Sequence, residues 1–558
     1  MHPCLRTPEL LFSILEAADT PTLAHLAGTC RAFSQPALEV LWRSMSSLWP
    51  LVRLLPEHAT YLGDLRTIYP DLDWSDYMGR ETALRINTDA IRPEDFDRLL
   101  CCVSRIKTLS IRDTDLEIEN SDWILHGMDD GFYEGLVNVT PHPGPLLRNV
   151  RKLIISAPLF AQTRAIFRLV CGPSLEVLDF CNFSSYRGEN PWMNGTADFF
   201  AEHLVQVVGE SSLSKLTIPM SDGFDGVHWV PEPQSFTISM PPQFYRLRTL
   251  DLQAISLTGP SVVRIGQIAG LETLTMNIYD TTGAQLQLPR GCFVSLREVK
   301  ILALHRCSIS NLLEQWDASG IESFIIQRLT GESYWDLNRL FCHLSRHLSQ
   351  YTLRSLGVGY APGHMRMSMP YNLNTSDVSF EALQNLFCFE KLNYLSIDIG
   401  GRVTIDDSNL LKIADKMPRL RVLNLEDREN RAAPSLITPS GIYNLVSSLP
   451  ELRHLSMRFN ATTNFPDKDS ITPLDLQSLA VGESAATDGE AILGFLTSCF
   501  PSLTSVSYGW FYQCRDDVYE IDYEDKEAEG ASVVSIRCWR IVDGHYWTRR
   551  RAAAITLR

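Results

Sequence analysis

The chain lacks any run of about 18 apolar residues, the length that an α-helix needs to cross a membrane. A membrane-spanning segment is therefore not expected. The early stretch LLFSILEAA is apolar enough to suggest the core of a signal peptide. However, Glu9 and Glu16 flank this stretch, and Arg6 is the only Lys or Arg before it. We interpret the stretch as a helix.

The sequence also lacks C-x-x-C pairs, although it contains 13 cysteines. An odd number of cysteines, with only Cys101 and Cys102 adjacent, does not predict a disulfide framework. Reduced thiols, and with them a cytoplasmic or nuclear location, fit this usage better. Positive charge is scarce as well. Because 50 Lys and Arg stand against 66 Asp and Glu, the net charge of −16 disfavours binding to nucleic acid.

The common signatures of catalysis and metal binding are missing too. The sequence has no phosphate-binding G-x-x-x-x-G-K-[ST], no H-E-x-x-H zinc motif and no G-x-S-x-G nucleophile turn. GVGYAPG (357–363) lacks the spacing of a dinucleotide-binding loop, and RDTDLEIEN (112–120) lacks the glycine of a calcium loop. We expect the first to be a loop that leaves a strand and the second to be a solvated insertion. The sequence therefore predicts no enzyme activity, no cofactor and no metal site.

The composition is that of a globular protein, since 45% of the 558 residues are hydrophobic. The first 46 residues predict three helices. Thr7, Thr20 and Ser34 are the expected caps, because a proline suited to the first helical turn follows each of them within two residues. So short a segment buries too little surface to be stable alone. It must be covered by the following domain, by a partner, or by both.

The pattern of these three helices resembles an F-box. It reads Pro8-Glu9-Leu10-Leu11-x-x-Ile14, then Leu23-x-x-Leu26, Cys30-Arg31-x-Phe33 and Ala37-Leu38-x-x-Leu41-Trp42-Arg43, with Thr7 where the family often has Leu or Ile. The resemblance implies that the element docks on a Skp-type adaptor and, through it, on a cullin–RING ubiquitin ligase. The residues that it assigns to adaptor binding are Pro8, Leu10, Leu11, Ile14, Leu23, Leu26, Leu38, Leu41 and Trp42.

Beyond residue 80 a six-residue phrase recurs, of the form apolar-x-x-apolar-x-apolar. Successive phrases start at residues 247, 271, 296 and 321, and helical patterns lie between phrases. Each unit is thus expected to be a strand, a loop and a helix, and neighbouring units must stack to bury their apolar faces. The phrases are IKTLSI, VRKLII, LEVLDF, LSKLTI, LRTLDL, LETLTM, LREVKI, IESFII, LRSLGV, LNYLSI, LRVLNL, LRHLSM, LQSLAV and LTSVSY.

These units resemble irregular leucine-rich repeats, and their order after the helices is similar to F-box proteins common in fungi. The predicted fold class is an α/β repeat, in which a three-helix F-box precedes an irregular leucine-rich-repeat solenoid with parallel strands on its concave face and helices on its convex face. The predicted domains are an F-box (1–46), a helical linker (47–80), the solenoid (81–510), and an acidic loop with C-terminal capping strands (511–558). Alternation in SVVSIRCWRIV is the basis for those strands.

Strand alternation also predicts which residues face outward. In LRTLDLQ, Leu250 and Leu252 point inward, so the residues between them are exposed. We expect a protein substrate to bind these outward positions, although they are equally consistent with a solvated strand face. The candidate contact residues are Thr249, Asp251, Gln253, Tyr394, Ser396, Asp398, Asn424, Glu426, His454, Ser456 and Arg458.

Three functions remain open at this point. The resemblance implies a substrate-recognition subunit of a Skp–cullin–F-box ubiquitin ligase, which binds the adaptor and an unknown protein substrate. The alternative is a non-ligase leucine-rich-repeat scaffold whose N-terminal helices only cap the repeats. A hydrolase is the third, and it would require a nucleophile and a base that the motifs do not reveal. No nucleic-acid or membrane partner is expected.

Overall fold

The computed structural model describes most of the chain, and the chain divides into two compact units. One unit contains Met1–Gly223 and Val230–Ile255, and the other contains Phe224–Trp229 and Ser256–Arg558. The predicted domain boundaries at residues 46, 80 and 510 do not coincide with this division and stay predictions. The described residues are 7–64, 82–88, 91–92, 96–111, 118–120, 123–125, 130–139, 144–156, 163–181, 211–218, 245–257, 259–278, 287–303, 306–316, 318–328, 336–360, 377–399, 401–426, 435–467, 471–482, 484–508, 534–535, 537–542 and 544–546.

The first unit opens with α1 (Pro8–Glu16), α2 (Thr20–Thr29) and α3 (Arg31–Arg43). Thr7 precedes α1 as predicted, although its hydroxyl makes no capping hydrogen bond. The predicted cap of α2 is wrong by one residue. The Asp19 carboxylate accepts a hydrogen bond from the Thr22 N–H at 2.9 Å, because a carboxylate suits the positive end of a helix.

The predicted start of α3 near Ser34 is also wrong. The N–H groups of Phe33 and Ser34 both bond to the Cys30 carbonyl oxygen, at 3.1 and 2.9 Å, so the first turn forms before the proline. Pro36 therefore lies inside the helix, where it removes one backbone hydrogen bond. The first turn of this helix has no side-chain cap.

The three helices share a small core of their own. Each of them contributes buried residues to it, namely Leu11 and Leu15 from α1, Leu23 from α2 and Ala37 from α3. An ion pair between Glu16 and Arg43 joins the ends of α1 and α3. α3 then continues without a linker into β1 (Ser44–Met45), the first strand of the sheet. The helices are therefore an integral part of the first unit.

The remaining part of the first unit is built around parallel strands. The parallel order is β1-β4-β7-β8-β9-β10, while β2 with β3 and β5 with β6 form separate antiparallel pairs. The elements are α4 (Trp49–Val52), β2 (Thr60–Asp64), β3 (Thr82–Ile86), α5 (Phe96–Val103), β4 (Thr108–Ile111), β5 (Ile118–Asn120), β6 (Trp123–Leu125), α6 (Asp130–Val139), β7 (Lys152–Ser156), α7 (Thr163–Val170), β8 (Val177–Cys181), β9 (Lys215–Thr217) and most of β10 (Thr249–Leu257).

The second unit repeats the same strand–helix alternation. Its parallel order is β11-β12-β13-β14-β16-β18-β19-β21-β23, with short parallel pairs β15–β17 and β20–β22 beside it. The elements are α8 (Gly259–Gly266), β11 (Thr273–Ile278), β12 (Glu298–Ala303), α9 (Arg306–Gln315), β13 (Ser323–Arg328), α10 (Leu337–His347), β14 (Ser355–Tyr360), β15 (Val378–Ser379), α11 (Phe380–Gln384), β16 (Tyr394–Asp398), β17 (Val403–Thr404), α12 (Asp407–Lys416), β18 (Val422–Leu425), α13 (Pro439–Ser448), β19 (His454–Met457), β20 (Asn460–Ala461), β21 (Ser478–Ala480), β22 (Ala485–Ala486), α14 (Gly489–Cys499) and β23 (Ser505–Ser507).

The recurrent phrases coincide with the parallel strands, which confirms the predicted α/β repeat. Each strand starts at the third residue of its phrase, so the second apolar residue of the phrase is the second residue of the strand. These second residues are direct register partners and lie in the core. In the second unit they run from Leu274 through Phe324 and Leu395 to Leu455, each at most 2% exposed. One apolar side chain per repeat thus forms a continuous buried row.

The predicted helical linker is only partly helical. α4 is a single turn, and Thr60–Asp64 pairs antiparallel with Thr82–Ile86 instead of continuing as helix. Each of these two segments contains β-branched residues, and the antiparallel pairing satisfies their backbone groups. A contact so distant along the chain leaves no local periodicity that sequence inspection can detect.

The predicted C-terminal capping strands are wrong. Residues 534–535, 537–542 and 544–546 are helical, and are here named the C-terminal helix. Trp539, Val542 and Tyr546, spaced by three and four residues, are fully buried on one side of it. The alternation of apolar and polar residues around Ser535 was a weaker signal than this helical spacing. The acidic segment 515–530 lies outside the described residues.

Helix caps connect neighbouring repeats of the second unit. The Asp406 carboxylate accepts a hydrogen bond from the Asn409 N–H at 2.9 Å and one from the Ser408 hydroxyl at 2.8 Å, at the start of α12. The hydrogen bond from the Asn409 N–H is the main reason that the pKa of Asp406 lies below its usual value. The next carboxylate, Asp407, accepts from the N–H and hydroxyl of Thr438, the cap of α13.

Replacing Asp406 by alanine is expected to lower the free energy of unfolding by about 1 kcal/mol at neutral pH. Because the pKa is lowered in the folded protein, this contribution is complete above the ordinary pKa and is lost as the pH falls through the folded-state value. The difference in Tm between wild type and variant should therefore shrink as the pH falls below the ordinary carboxylate pKa of about 3.9. Ser379→Ala, which removes the uncharged cap of α11, is the control and should show a difference independent of pH. An equally pH-independent difference for Asp406→Ala would contradict the prediction.

Candidate functional site

The N-terminal helices divide the predicted adaptor-binding residues into two groups. Leu11 and Leu23 belong to the internal core, and Leu26 and Leu41 pack against it. Substituting any of these four residues would disturb the fold of the helices. They are therefore poorly placed to contact another protein directly.

The remaining predicted residues are not part of this internal core. Leu10 is 50% exposed and Ile14 is 49% exposed, and they lie one turn apart on the same face of α1. We name these two residues the exposed α1 pair. Pro8 is exposed at the start of α1, whereas Leu38 and Trp42 are half-buried one turn apart on α3. The N-terminal helices thus leave an aliphatic pair on α1 outside their small core.

Charged groups fix the orientation of the exposed α1 pair. The Glu16–Arg43 ion pair and the guanidinium of Arg43, 5.8 Å from the centroid of the Phe12 ring, hold α1 against α3. At the start of α2, hydrogen bonds from the hydroxyl and the N–H of Thr22 keep the pKa of Asp19 below its usual value. The Asp19 carboxylate is thus ionised at neutral pH and stabilises the turn between α1 and α2.

The second candidate surface is the exposed strand face, which consists of the strand side chains that alternate with the buried row. In the second unit, Tyr394, Ser396 and Asp398 on β16 are partly exposed, as are Asn424 on β18 and Ser456 on β19. Register pairing places Ser396, Asn424 and Ser456 side by side on adjacent strands, and the Asn424 amide donates to the Ser396 hydroxyl at 3.0 Å. Glu426 follows β18 and is partly exposed, and His454 is exposed at the start of β19.

Arg458 does not belong to this surface, contrary to the prediction. It is 7% exposed and stands between Met457 and Phe459, which are both buried. The alternation stops because β19 ends at Met457. Two residues further on, the Phe459 N–H donates to the hydroxyl of Ser484 instead of to a neighbouring strand. Alternation predicts orientation only within a strand.

The predicted residues of β10 belong to the first unit and form a separate group. Thr249, Asp251 and Gln253 are partly exposed there, and the Gln253 side chain donates to the Asp251 carboxylate at 3.0 Å. Sequence inspection did not single out their register neighbours. These neighbours are Asp179 on β8 and Thr217 on β9, and Thr217 pairs with Asp179 on one side and with Asp251 on the other. Both occupy the fifth position of their phrases, LEVLDF and LSKLTI, which is the same position that Asp251 has in LRTLDL.

One row of the exposed strand face has a gap in the middle. Gly357 on β14 stands between Ile325 on β13 and Ser396 on β16, so the row has no side chain at this position. The missing side chain at Gly357 and the mixed polarity of the neighbouring side chains make the exposed strand face uneven and partly polar.

The described part of the chain has no arrangement for metal chemistry, since no group of three or more His, Cys, Asp or Glu side chains is placed to hold an ion there. Its cysteines, which include Cys30, Cys101 and Cys499, are free thiols. Burial raises the pKa of Cys499 to about 12, so this thiol stays protonated at neutral pH and is a poor nucleophile. Among the described helices, none is both long enough and apolar enough to span a bilayer.

Comparison with known proteins adds little to this description. No protein-family model matches the chain, and no curated protein matches it. The chain is similar to a solved structure described as "Crystal structure of TLR13-ssRNA13 complex", with 12% sequence identity and a TM-score of 0.30. The match covers 76% of this chain and 53% of that one, so this chain spans about half the length of the structure it matches. A TM-score this low does not establish a shared fold.

Proposed function

We propose that the chain is the substrate-recognition subunit of a Skp–cullin–F-box ubiquitin ligase in the cytoplasm or nucleus. The observation that carries the proposal is the exposed α1 pair. Leu10 and Ile14 fall on positions where the F-box resemblance expects adaptor contacts, and the internal core does not use them. Because both side chains are already about half covered, burying the exposed remainder of each against an adaptor would contribute about 0.8–1.5 kcal/mol.

In this proposal the exposed strand face of the repeats binds the protein substrate, and the chain itself catalyses no reaction. Its role is to hold a substrate near the ubiquitin-carrying components, which raises the effective concentration of the acceptor lysines. The direct connection of α3 to β1 favours this role. Without a flexible linker, adaptor and first repeats keep a fixed orientation.

A second candidate is a protein-binding scaffold without a ligase. The observation in its favour is that Leu11, Leu23, Leu26 and Leu41 pack within the helices, so the helices have a core of their own whether or not an adaptor binds. The two candidates share the exposed strand face. They differ in what the exposed α1 pair contacts.

Co-purification with a Skp-type adaptor separates the two candidates. We expect the full chain to capture the adaptor, and Leu10→Ser/Ile14→Ser to weaken capture at least about 10-fold through the loss of two buried aliphatic side chains. The melting temperature of this variant should stay close to that of the wild type, because both residues are about half exposed. Deleting residues 1–46 is a worse test, since it would also remove β1.

The matched control replaces two exposed aliphatic residues elsewhere, Leu411→Ser/Leu436→Ser, which are 43% and 59% exposed. This control should capture the adaptor as well as the wild type does. If the well-folded wild type captures no adaptor, or if both double variants capture it equally well, the ligase proposal is wrong. The scaffold candidate would then stand.

A further inference from the structure

Lysine is much scarcer in this chain than arginine. Of the 50 Lys and Arg residues, 9 are lysines and 41 are arginines, whereas lysine is among the commonest residues of soluble proteins. Residues 1–106, which include the three N-terminal helices, contain 10 arginines and no lysine. Arginine thus supplies all the Lys and Arg charge of the region that contains the exposed α1 pair.

The lysines of the first unit lie beside its strands and not on its helices. Lys107 directly precedes β4, and Lys152 and Lys215 are the first residues of β7 and β9. Of these three, Lys107 and Lys215 are partly buried. The helices α1–α7 contain no lysine. The helical surface of the first unit therefore presents no lysine amino group.

Ion pairing explains only some of the arginines. Arg151 and Glu176 join neighbouring repeats at 3.7 Å, and a planar guanidinium suits a carboxylate better than an ammonium group does. Other arginines of the first unit have no such role. Within the part of the chain that the structure describes, Arg98, Arg148 and Arg168 are exposed and their guanidinium groups make no hydrogen bond or ion pair. At these positions lysine would carry the same charge without the loss of a contact.

The two cationic side chains differ in their reaction with activated ubiquitin. A deprotonated lysine amine attacks the thioester carbonyl that links ubiquitin to a conjugating enzyme. An isopeptide bond forms, the carbon–sulfur bond breaks, and the leaving thiolate takes up the proton that the amine loses. A guanidinium stays protonated in proteins and cannot act as this nucleophile. Arginine therefore keeps the charge of a surface lysine but does not accept ubiquitin.

We infer that the use of arginine in place of lysine in the first unit protects the chain from ubiquitination by its own ligase. The inference rests on the proposed function, because a chain held beside a ubiquitin-carrying enzyme meets it at a high effective concentration. Arg98, Arg148 and Arg168 belong to the same compact unit as the three N-terminal helices. With arginine at these positions, the chain remains unmodified while successive substrates receive ubiquitin.

Reconstituted ubiquitination of the full chain, assembled with a Skp-type adaptor, a cullin–RING ligase and a ubiquitin-loaded conjugating enzyme, tests the inference. We expect Arg98→Lys/Arg148→Lys/Arg168→Lys to gain ubiquitin at least about 5-fold faster than the wild type, on the new lysines as located by mass spectrometry. Its Tm should stay close to that of the wild type, because the three guanidinium groups make no hydrogen bond or ion pair with described residues. The matched control, Arg98→Gln/Arg148→Gln/Arg168→Gln, removes the same arginines without adding an amine and should gain no more ubiquitin than the wild type.

Adaptor capture and transfer of ubiquitin to free lysine separate this inference from the proposed function. If the chain captures no adaptor, or if the assembled ligase transfers no ubiquitin to free lysine, the proposed function is wrong and the inference falls with it. If the ligase is active but the wild type and the lysine variant gain ubiquitin equally, the inference alone is overturned. A clear loss of Tm in both variants would also overturn it, because the arginines would then be required for stability.

Discussion

Replacing Trp539 by alanine is expected to lower the free energy of unfolding of the second unit by about 3–5 kcal/mol. The indole ring is fully buried in the packing of the C-terminal helix. It lies perpendicular to the ring of Phe459, with centroids 5.9 Å apart, and parallel to the ring of Tyr508 at 6.0 Å. Alanine would remove these contacts and leave a cavity. It would also remove the hydrogen bond to the Ser484 carbonyl oxygen, whose loss costs a further part of that free energy.

Denaturant unfolding and hydrogen exchange at residues 478–500 measure this effect. Exchange should accelerate first at Ala486, because its N–H donates to the Ser535 hydroxyl of the C-terminal helix. Arg540→Ala, on the exposed side of the same helix, is the control and should change the stability by less than about 0.5 kcal/mol. If Trp539→Ala were as stable as this control, the C-terminal helix would not pack as described.

Gly359→Ala is expected to destabilise the second unit by about 1–3 kcal/mol through overpacking in the middle of the sheet. A Cβ atom at this position of β14 would lie 2.6 Å from the backbone carbonyl oxygen of Asp398 on β16. A backbone atom within a sheet cannot move aside as a side chain can. The added methyl group would therefore force β14 and β16 apart.

Gly357→Ala, two residues earlier in the same strand, is the matched control. There the nearest atoms are the Cγ2 and Cγ1 atoms of Ile325, at 3.3 and 3.4 Å, which a small side-chain rotation can relieve. Alanine is also intrinsically favoured over glycine in a strand by about 0.5–1 kcal/mol, so we expect this variant to be close to wild type in stability. Thermal unfolding of both variants checks the prediction. Equal losses of stability would show that glycine is needed in β14 for another reason.

Local periodicity was enough to locate the parallel strands. In a repeat of this kind each strand must bury the apolar residues at fixed positions of its phrase, so LETLTM and LRHLSM could be assigned without knowledge of their neighbours. The same rule oriented Ser396 and Asn424 toward the exposed strand face. It did not extend to Arg458, because that residue follows the last residue of its strand.

Helix starts were harder to predict, since several polar residues competed for each cap. Thr20 and Ser34 had suitable side chains, but Asp19 made the stronger cap for α2, and the first turn of α3 formed around the Cys30 carbonyl oxygen. The C-terminal segment was misassigned because its polar and apolar residues alternate over a few positions. Trp539, Val542 and Tyr546 are buried because the last repeat covers them. The local sequence does not show that contact.

The order of polar and apolar residues alone was therefore sufficient for the α/β repeat, the parallel strands and the three N-terminal helices, because each depends on contacts between residues near in the chain or on identical positions of successive repeats. Tertiary structure decided which leucines of those helices are internal and which, like Leu10 and Ile14, remain exposed. It also decided the pairing of Thr60–Asp64 with Thr82–Ile86 and the helical form of the C-terminal cap. These features depend on burial against distant segments, and no local pattern encodes which distant surface a side chain will meet.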